Sequence, residues 1–273
     1  MCEEGFKKEL RFTIVCVILY FAGMIFTNIV VICLIRISGI ADAIFEIIFI
    51  SATIVFLKKR NLLSYYGINN PKNLNFKNLL YFIPMILVAS VNLWFGISIN
   101  GSVPQLIYLA IAMLGVGFSE EILFRSFLMK AVMHKNETAA VIISSVIFGC
   151  FHIMNLFGDA DLFQTILQII YATAFGFMCA MFFYRTKNII PCMICHSLTN
   201  LAYVFMPENL STSIQCIGCI AIIVPSVFYG VYLLRTRKIC DSPKSRYRSY
   251  IACKIWGRRR TIVRPEERIY GCS

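Results

Sequence analysis

Six residues in an otherwise apolar stretch have the types and spacing to do chemistry. Glu120, Glu121 and Arg125 fall in Phe118-Ser119-Glu120-Glu121-Ile122-Leu123-Phe124-Arg125, and His152 closes Phe148-Gly149-Cys150-Phe151-His152. His196 and Asn200 stand in Cys195-His196-Ser197-Leu198-Thr199-Asn200. On a helix, Glu121 and Arg125, four apart, share a face and can pair, whereas Glu120 is turned about 100° from Glu121. The pair then neutralises itself and leaves Glu120 free to face a cavity. Phe148 and His152, and likewise His196 and Asn200, repeat the spacing of four. A carboxylate can act as general base on a water, two imidazoles can hold that water or a metal, and an amide can donate to a developing oxyanion. These are the parts that peptide hydrolysis needs. Each motif alone also fits a plainer reading, a membrane ion pair or a histidine bonded to a neighbouring helix.

The elements that must carry these residues are membrane helices. The chain is 59% hydrophobic and 15% charged over 273 residues, against roughly 45 to 50% apolar and 25% charged in soluble domains. Its apolar residues form long blocks, and about 18 or more in a row with few charges read as a membrane span. Spans are predicted at 12–36, 40–57, 79–99, 104–130, 138–157, 163–184, 189–206 and 213–234, an all-α polytopic bundle of about eight helices. The second, diluted by Asp42 and Glu46, and the seventh, with Pro191 in its first turn, are the shortest, so six or seven helices also fit. At about 1.5 Å per residue, Glu120 lies roughly 15 Å, His152 roughly 21 Å and His196 roughly 12 Å from the same membrane face. One site below the midplane can gather them.

Basic residues orient the bundle, because cytoplasmic loops carry the Lys and Arg excess. With eight spans and both termini inside, 24 of the 26 basic residues are cytoplasmic, Arg36 alone lies outside and Arg125 lies within a span. Residues 1–234 read as one membrane-embedded domain and 235–273 as a basic cytoplasmic tail. The tail supplies +9 of the formal +12 charge, which points to anionic lipid and away from nucleic acid. Tyr250–Trp256 mixes bases with aromatics and fits an interfacial helix as well as a solvated tail. The stretch Tyr66–Pro71 carries turn residues. The first apolar block is longer than a signal core and lacks a clear cleavage site, so it is expected to stay as an anchor.

Twelve cysteines, most of them in apolar spans, do not resemble the disulfide framework of a short secreted chain and read as small hydrophobes. Cys192-x-x-Cys195 and Cys216-x-x-Cys219 formally allow zinc. Cys272, next to last, is not placed as a prenylation acceptor. His134 is expected at the membrane interface and outside the site. Gly115 and Gly117 are expected to let a neighbouring helix come close.

Glu120-Glu121-x-x-x-Arg125, Phe148-x-x-x-His152 and His196-x-x-x-Asn200, in this order on separate membrane helices, resemble the CPBP family, also called Abi, which includes the type II CAAX prenyl endopeptidases. The motifs span about residues 104–206; the other helices match only as generic spans. The resemblance implies an intramembrane protease in which Glu120 activates water, with His152 as its partner in holding the water or a metal. It further implies that His196 and Asn200 stabilise the oxyanion and that Glu121 and Arg125 form a structural ion pair. Family members are described both as metalloproteases and as glutamate proteases. A divalent metal such as zinc on His152 and His196 is therefore allowed, and if Glu120 were a ligand a second base such as Glu121 would be needed.

The expected partners are the bilayer and a peptide or protein substrate at the membrane, CAAX-like or a small membrane-associated peptide. Some relatives serve bacteriocin maturation or self-immunity, and the isoleucine-, asparagine- and lysine-rich composition points to a bacterial plasma membrane. Two rivals stand beside the protease. One is a noncatalytic scaffold or immunity protein that uses the polar cluster for recognition. The other is a small transporter, for which polar groups would run from face to face.

Overall fold

A computed structural model describes residues 2–34, 39–68, 82–157, 160–207 and 209–236. The described residues form helices and no strands. The helices are α1 (Cys2–Leu34), α2 (Ile40–Lys59), α3 (Ile83–Leu93), α4 (Val103–Met133), α5 (Glu137–Phe157), α6 (Leu162–Thr186), α7 (Ile190–Val204) and α8 (Thr212–Arg235). Six of the eight are long and apolar enough to cross a membrane, and α3 and α7 are shorter apolar helices. The chain is a multi-pass integral membrane protein, with isoleucine, leucine and phenylalanine side chains exposed along the outer faces of its helices. Lipid, as apolar as those side chains, is the solvent for such a surface.

Local sequence explains where the helices begin. Asn136 accepts a hydrogen bond from the Ala139 N–H at 2.9 Å, and Asp161 accepts one from the Gln164 N–H at 3.1 Å, so α5 and α6 start on capping side chains that satisfy amides with no partner inside the helix. Prolines stand in the first turns of α3, α4 and α7, where the missing N–H costs nothing.

The third predicted span, 79–99, is corrected to a shorter element. Helix α3 is α-helical over Ile83–Ser90 and closes in a 3-10 turn at Val91–Leu93. The chain then turns at Gly96, φ +108°, and the Ser98 N–H bonds the Phe205 carbonyl at 2.8 Å. The apolar run past Leu93 is thus a hydrogen-bonded connection against the end of α7. Helix α4 is continuous but changes pitch: it is α-helical to Glu121, π-helical over Ile122–Met129 and α-helical again to Met133. In the widened section Ser144 of α5 donates to the Phe124 carbonyl at 2.8 Å, and Ser126 donates to the Tyr66 carbonyl at 2.7 Å. The first bond supports a backbone carbonyl where regular pairing is broken, and the second ties the section to the turn after α2.

Helix α4 is the centre of the bundle, packing on α1, α2, α5 and α7. Two glycines set its closest approaches. A Cβ on Gly115 would lie 2.5 Å from Glu46 Cβ, and one on Gly117 would lie 2.5 Å from the Ser197 backbone nitrogen. The second contact brings the α4 and α7 backbones together one residue from His196, and Ser197 Oγ donates to the Leu114 carbonyl at 2.7 Å. The basic tail with its Tyr250–Trp256 segment, Arg36, the loop residues Asn69–Lys77 and Cys272 lie outside the described residues.

Candidate active site

Helices α4, α5 and α7 each deliver part of the polar cluster. Glu121 and Arg125 are fully buried, with Glu121 Oε1 3.2 Å from Arg125 Nη1. The guanidinium carbon lies 4.0 Å from the centre of the Phe148 ring, a cation–π contact that gains strength away from water. Gly176 makes room for this stack, since a Cβ there would come within 2.9 Å of Arg125 Nη2 and 3.0 Å of the Phe148 ring.

Glu121 also reaches a second partner. His196, 4% exposed, puts Nδ1 3.1 Å from the same Glu121 Oε1, while its Nε2 lies 3.6 Å from Glu120 Oε2. One imidazole therefore stands between two adjacent carboxylates, bonded to one and facing the other. Phe148 and Phe175 flank the ring at centroid distances of 5.4 and 5.2 Å, which limits its rotation. Glu120 differs from its neighbour in that its side chain keeps 15% of its exposure; Oε2 of each glutamate has no hydrogen-bond partner.

His152 reaches the cluster through an aromatic ring. It ends the α-helical part of α5, and its imidazole packs edge-on against Phe148 at 5.4 Å, the ring that His196 touches from another side. Both histidine rings thus rest on one phenyl group, and the His152 nitrogens have no hydrogen-bond partner among the described residues. Asn200, half-buried, lies one turn beyond His196 on α7 and meets none of the other five residues in a direct polar contact. The adjacent Thr199 carbonyl accepts from Asn92 of α3 at 3.1 Å, which fixes that turn of α7 in place. His134 lies elsewhere, with Nε2 3.0 Å from Glu9 Oε2 on α1.

The C-x-x-C pairs do not chelate. Cys192 Sγ donates to the Cys179 carbonyl at 3.4 Å and Cys195 Sγ to the Met85 carbonyl at 3.2 Å, so the two thiols point to different helices. Cys219 Sγ reaches the Leu167 carbonyl of α6. Among the described residues, one trio of potential ligands lies within 4.8 Å, namely Glu121, Cys179 and Cys192, but Glu121 is already taken by Arg125 and His196. The opening between Glu120 Oε2 and His196 Nε2 fits an ion better. Ligands at about 2.0 to 2.1 Å from a tetrahedral zinc stand near the observed 3.6 Å apart, and Glu121 on Nδ1 is the outer partner that metal-bound imidazoles keep.

Two residues have contacts at the site that the motifs do not announce. Phe148, marked in the sequence only by its spacing from His152, contacts Arg125, His152 and His196 together. Glu46 of α2 accepts from Ser119, the residue before Glu120, at 2.5 Å; its one sequence signal was a carboxylate inside an apolar block.

The carboxylates and histidines thus gather inside a multi-pass helical bundle. Residues 102–202, which run from α4 into α7, match the family described as type II CAAX prenyl endopeptidase Rce1-like. No curated protein and no solved structure matches the chain. The family is one of CAAX-type proteases that work within the membrane.

Proposed function

We infer that the chain is an endopeptidase that hydrolyses a peptide bond of a small membrane-associated or CAAX-like substrate, with Glu120 as general base. The observation that carries this reading is the contrast between the paired glutamates. Glu121 has no exposure and is engaged through Oε1 by Arg125 and His196, whereas Glu120 keeps 15% of its side-chain exposure and meets His196 Nε2 only at 3.6 Å. A carboxylate held like this can take a proton from water as the water attacks the scissile carbonyl. Its protonated form then returns that proton to the leaving amine.

In this mechanism His152 helps to hold the attacking water. His196, held through Nδ1 by Glu121, and Asn200 stabilise the oxyanion that develops on the carbonyl. Pre-aimed donors of this kind stabilise a tetrahedral intermediate by about 2.7 to 4 kcal/mol each. Glu121 and Arg125 hold the imidazole. A divalent ion is the second reading, favoured by the spacing of Glu120 Oε2 and His196 Nε2; those two residues would hold it, and it would polarise the scissile carbonyl as a Lewis acid.

The test is cleavage of a peptide library by purified protein in liposomes, wild type against Glu120→Gln, with and without a chelator. Loss of a general base is expected to cost about 10²- to 10⁴-fold in rate while the protein stays folded in the membrane. Loss in the variant alone supports a glutamate base, and loss on chelation as well supports the ion. Full activity of Glu120→Gln sinks the enzymatic reading in favour of a noncatalytic partner-binding protein.

A further inference from the structure

Glu46 lies on α2, outside the matched segment, and is 1% exposed. A carboxyl group inside a bilayer costs several kcal/mol unless it is satisfied. Here both oxygens are: Tyr20 of α1 donates to Oε1 at 2.6 Å, and Ser119 of α4 donates to Oε2 at 2.5 Å. Among the described residues no lysine, arginine or histidine pairs with it, so the hydroxyls are its partners. Helix α4 is notched to receive it, because Gly115 has no Cβ where Glu46 Cβ and Cγ lie 2.5 and 2.9 Å away. Its remaining carboxylate neighbours are Asp42, one turn earlier on α2 and hydrogen-bonded by Asn28 at 2.6 Å, and Glu120 itself.

Consecutive helical residues point about 100° apart. Ser119 is bound on one side of α4 by Glu46, and Glu121 on the other by Arg125 and His196. Glu120 lies between two anchored neighbours and keeps 15% of its side-chain exposure where Glu121 has none.

We propose that Glu46 is a positioning residue for Glu120: the chain Tyr20–Glu46–Ser119 ties α1 and α2 to the catalytic turn of α4 and sets the rotation at which Glu120 faces His196. The role rests on the protease reading above. It assigns the first two helices, which the family match does not cover, a part in the reaction.

The experiment measures kcat and KM in proteoliposomes for wild type, Glu46→Leu, Glu46→Gln, Ser119→Ala, the Glu46→Leu/Ser119→Ala double variant and Glu120→Gln. Glu46→Leu is expected to lower kcat roughly ten- to a hundredfold with KM little changed. Glu46→Gln, whose amide can still accept from Tyr20 and bond Ser119, restores kcat to within about threefold of wild type, on the scale of less than one neutral hydrogen bond. The double variant is no slower than Glu46→Leu alone, because coupled residues do not add. Should Glu46→Leu fail to reach the membrane, Ser119→Ala decides, expected roughly fivefold down. Wild-type kcat in Glu46→Leu or Ser119→Ala, or additive losses in the double variant, overturns the proposal while an inactive Glu120→Gln leaves the protease reading standing. An active Glu120→Gln, or a wild type that cleaves nothing, overturns both.

Discussion

Arg125 holds a full positive charge with no exposure at all, and its surroundings explain how. Glu121 neutralises it and Phe148 covers its face. Removing one partner of a buried pair leaves the other charge uncompensated, at a cost of about 3 to 5 kcal/mol. Arg125→Leu is therefore expected to lower the midpoint of thermal unfolding and abolish cleavage. Arg125→Lys should recover little, since an ammonium lacks the planar face that stacks on the ring; recovery of both stability and rate in the lysine variant would show that charge alone matters. The spacing of four makes a shared face for Glu121 and Arg125 legible in the sequence. The Glu121–His196 contact joins residues 75 apart, and no local pattern encodes a tertiary distance. Phe148 was hidden for the same reason, as one phenylalanine among 23.

Helices α4 and α7 meet backbone to backbone at Gly117 and Ser197, beside the residues that face each other across the site. Gly117→Ala places a methyl 2.5 Å from the Ser197 nitrogen, and a backbone cannot yield as a side chain does. The variant is expected to lose most of its activity through a wider Glu120–His196 gap, while helix content by circular dichroism stays unchanged; an unaffected rate would mean that this approach does not set the gap. Apolar block length made most helices readable, and capping residues agree with the starts of α5 and α6. The sequence did not reveal the end of α3, because the apolar residues after Leu93 continue while their backbone bonds to α7. The π-helical section of α4 was equally hidden, since one of its carbonyls is met by a hydroxyl from α5, a tertiary partner that no local pattern announces.

For the whole molecule, charge gives the expected orientation. Lys58, Lys59 and Arg60 end α2, and Lys130, Lys135, Arg185 and Lys187 lie at or beside helix ends, and by the positive-inside rule these ends are expected to face the cytoplasm. In a cysteine-free background, Lys59→Cys is expected to react with a membrane-impermeant thiol reagent only in inverted vesicles; labelling of intact cells would reverse the topology. The pairing of the short helices also bears on the surrounding lipid. At about 1.5 Å per residue, the 15 residues of α7 extend roughly 22 Å, against a hydrocarbon layer of about 30 Å, and α3 beside it is shorter still. The wall of the bundle that carries His196 and Asn200 is thus lower than the rest. Lipids along it are expected to compress or tilt, and on the protease reading the rate of cleavage in liposomes is then expected to change with acyl-chain length; a rate independent of chain length would sink that idea.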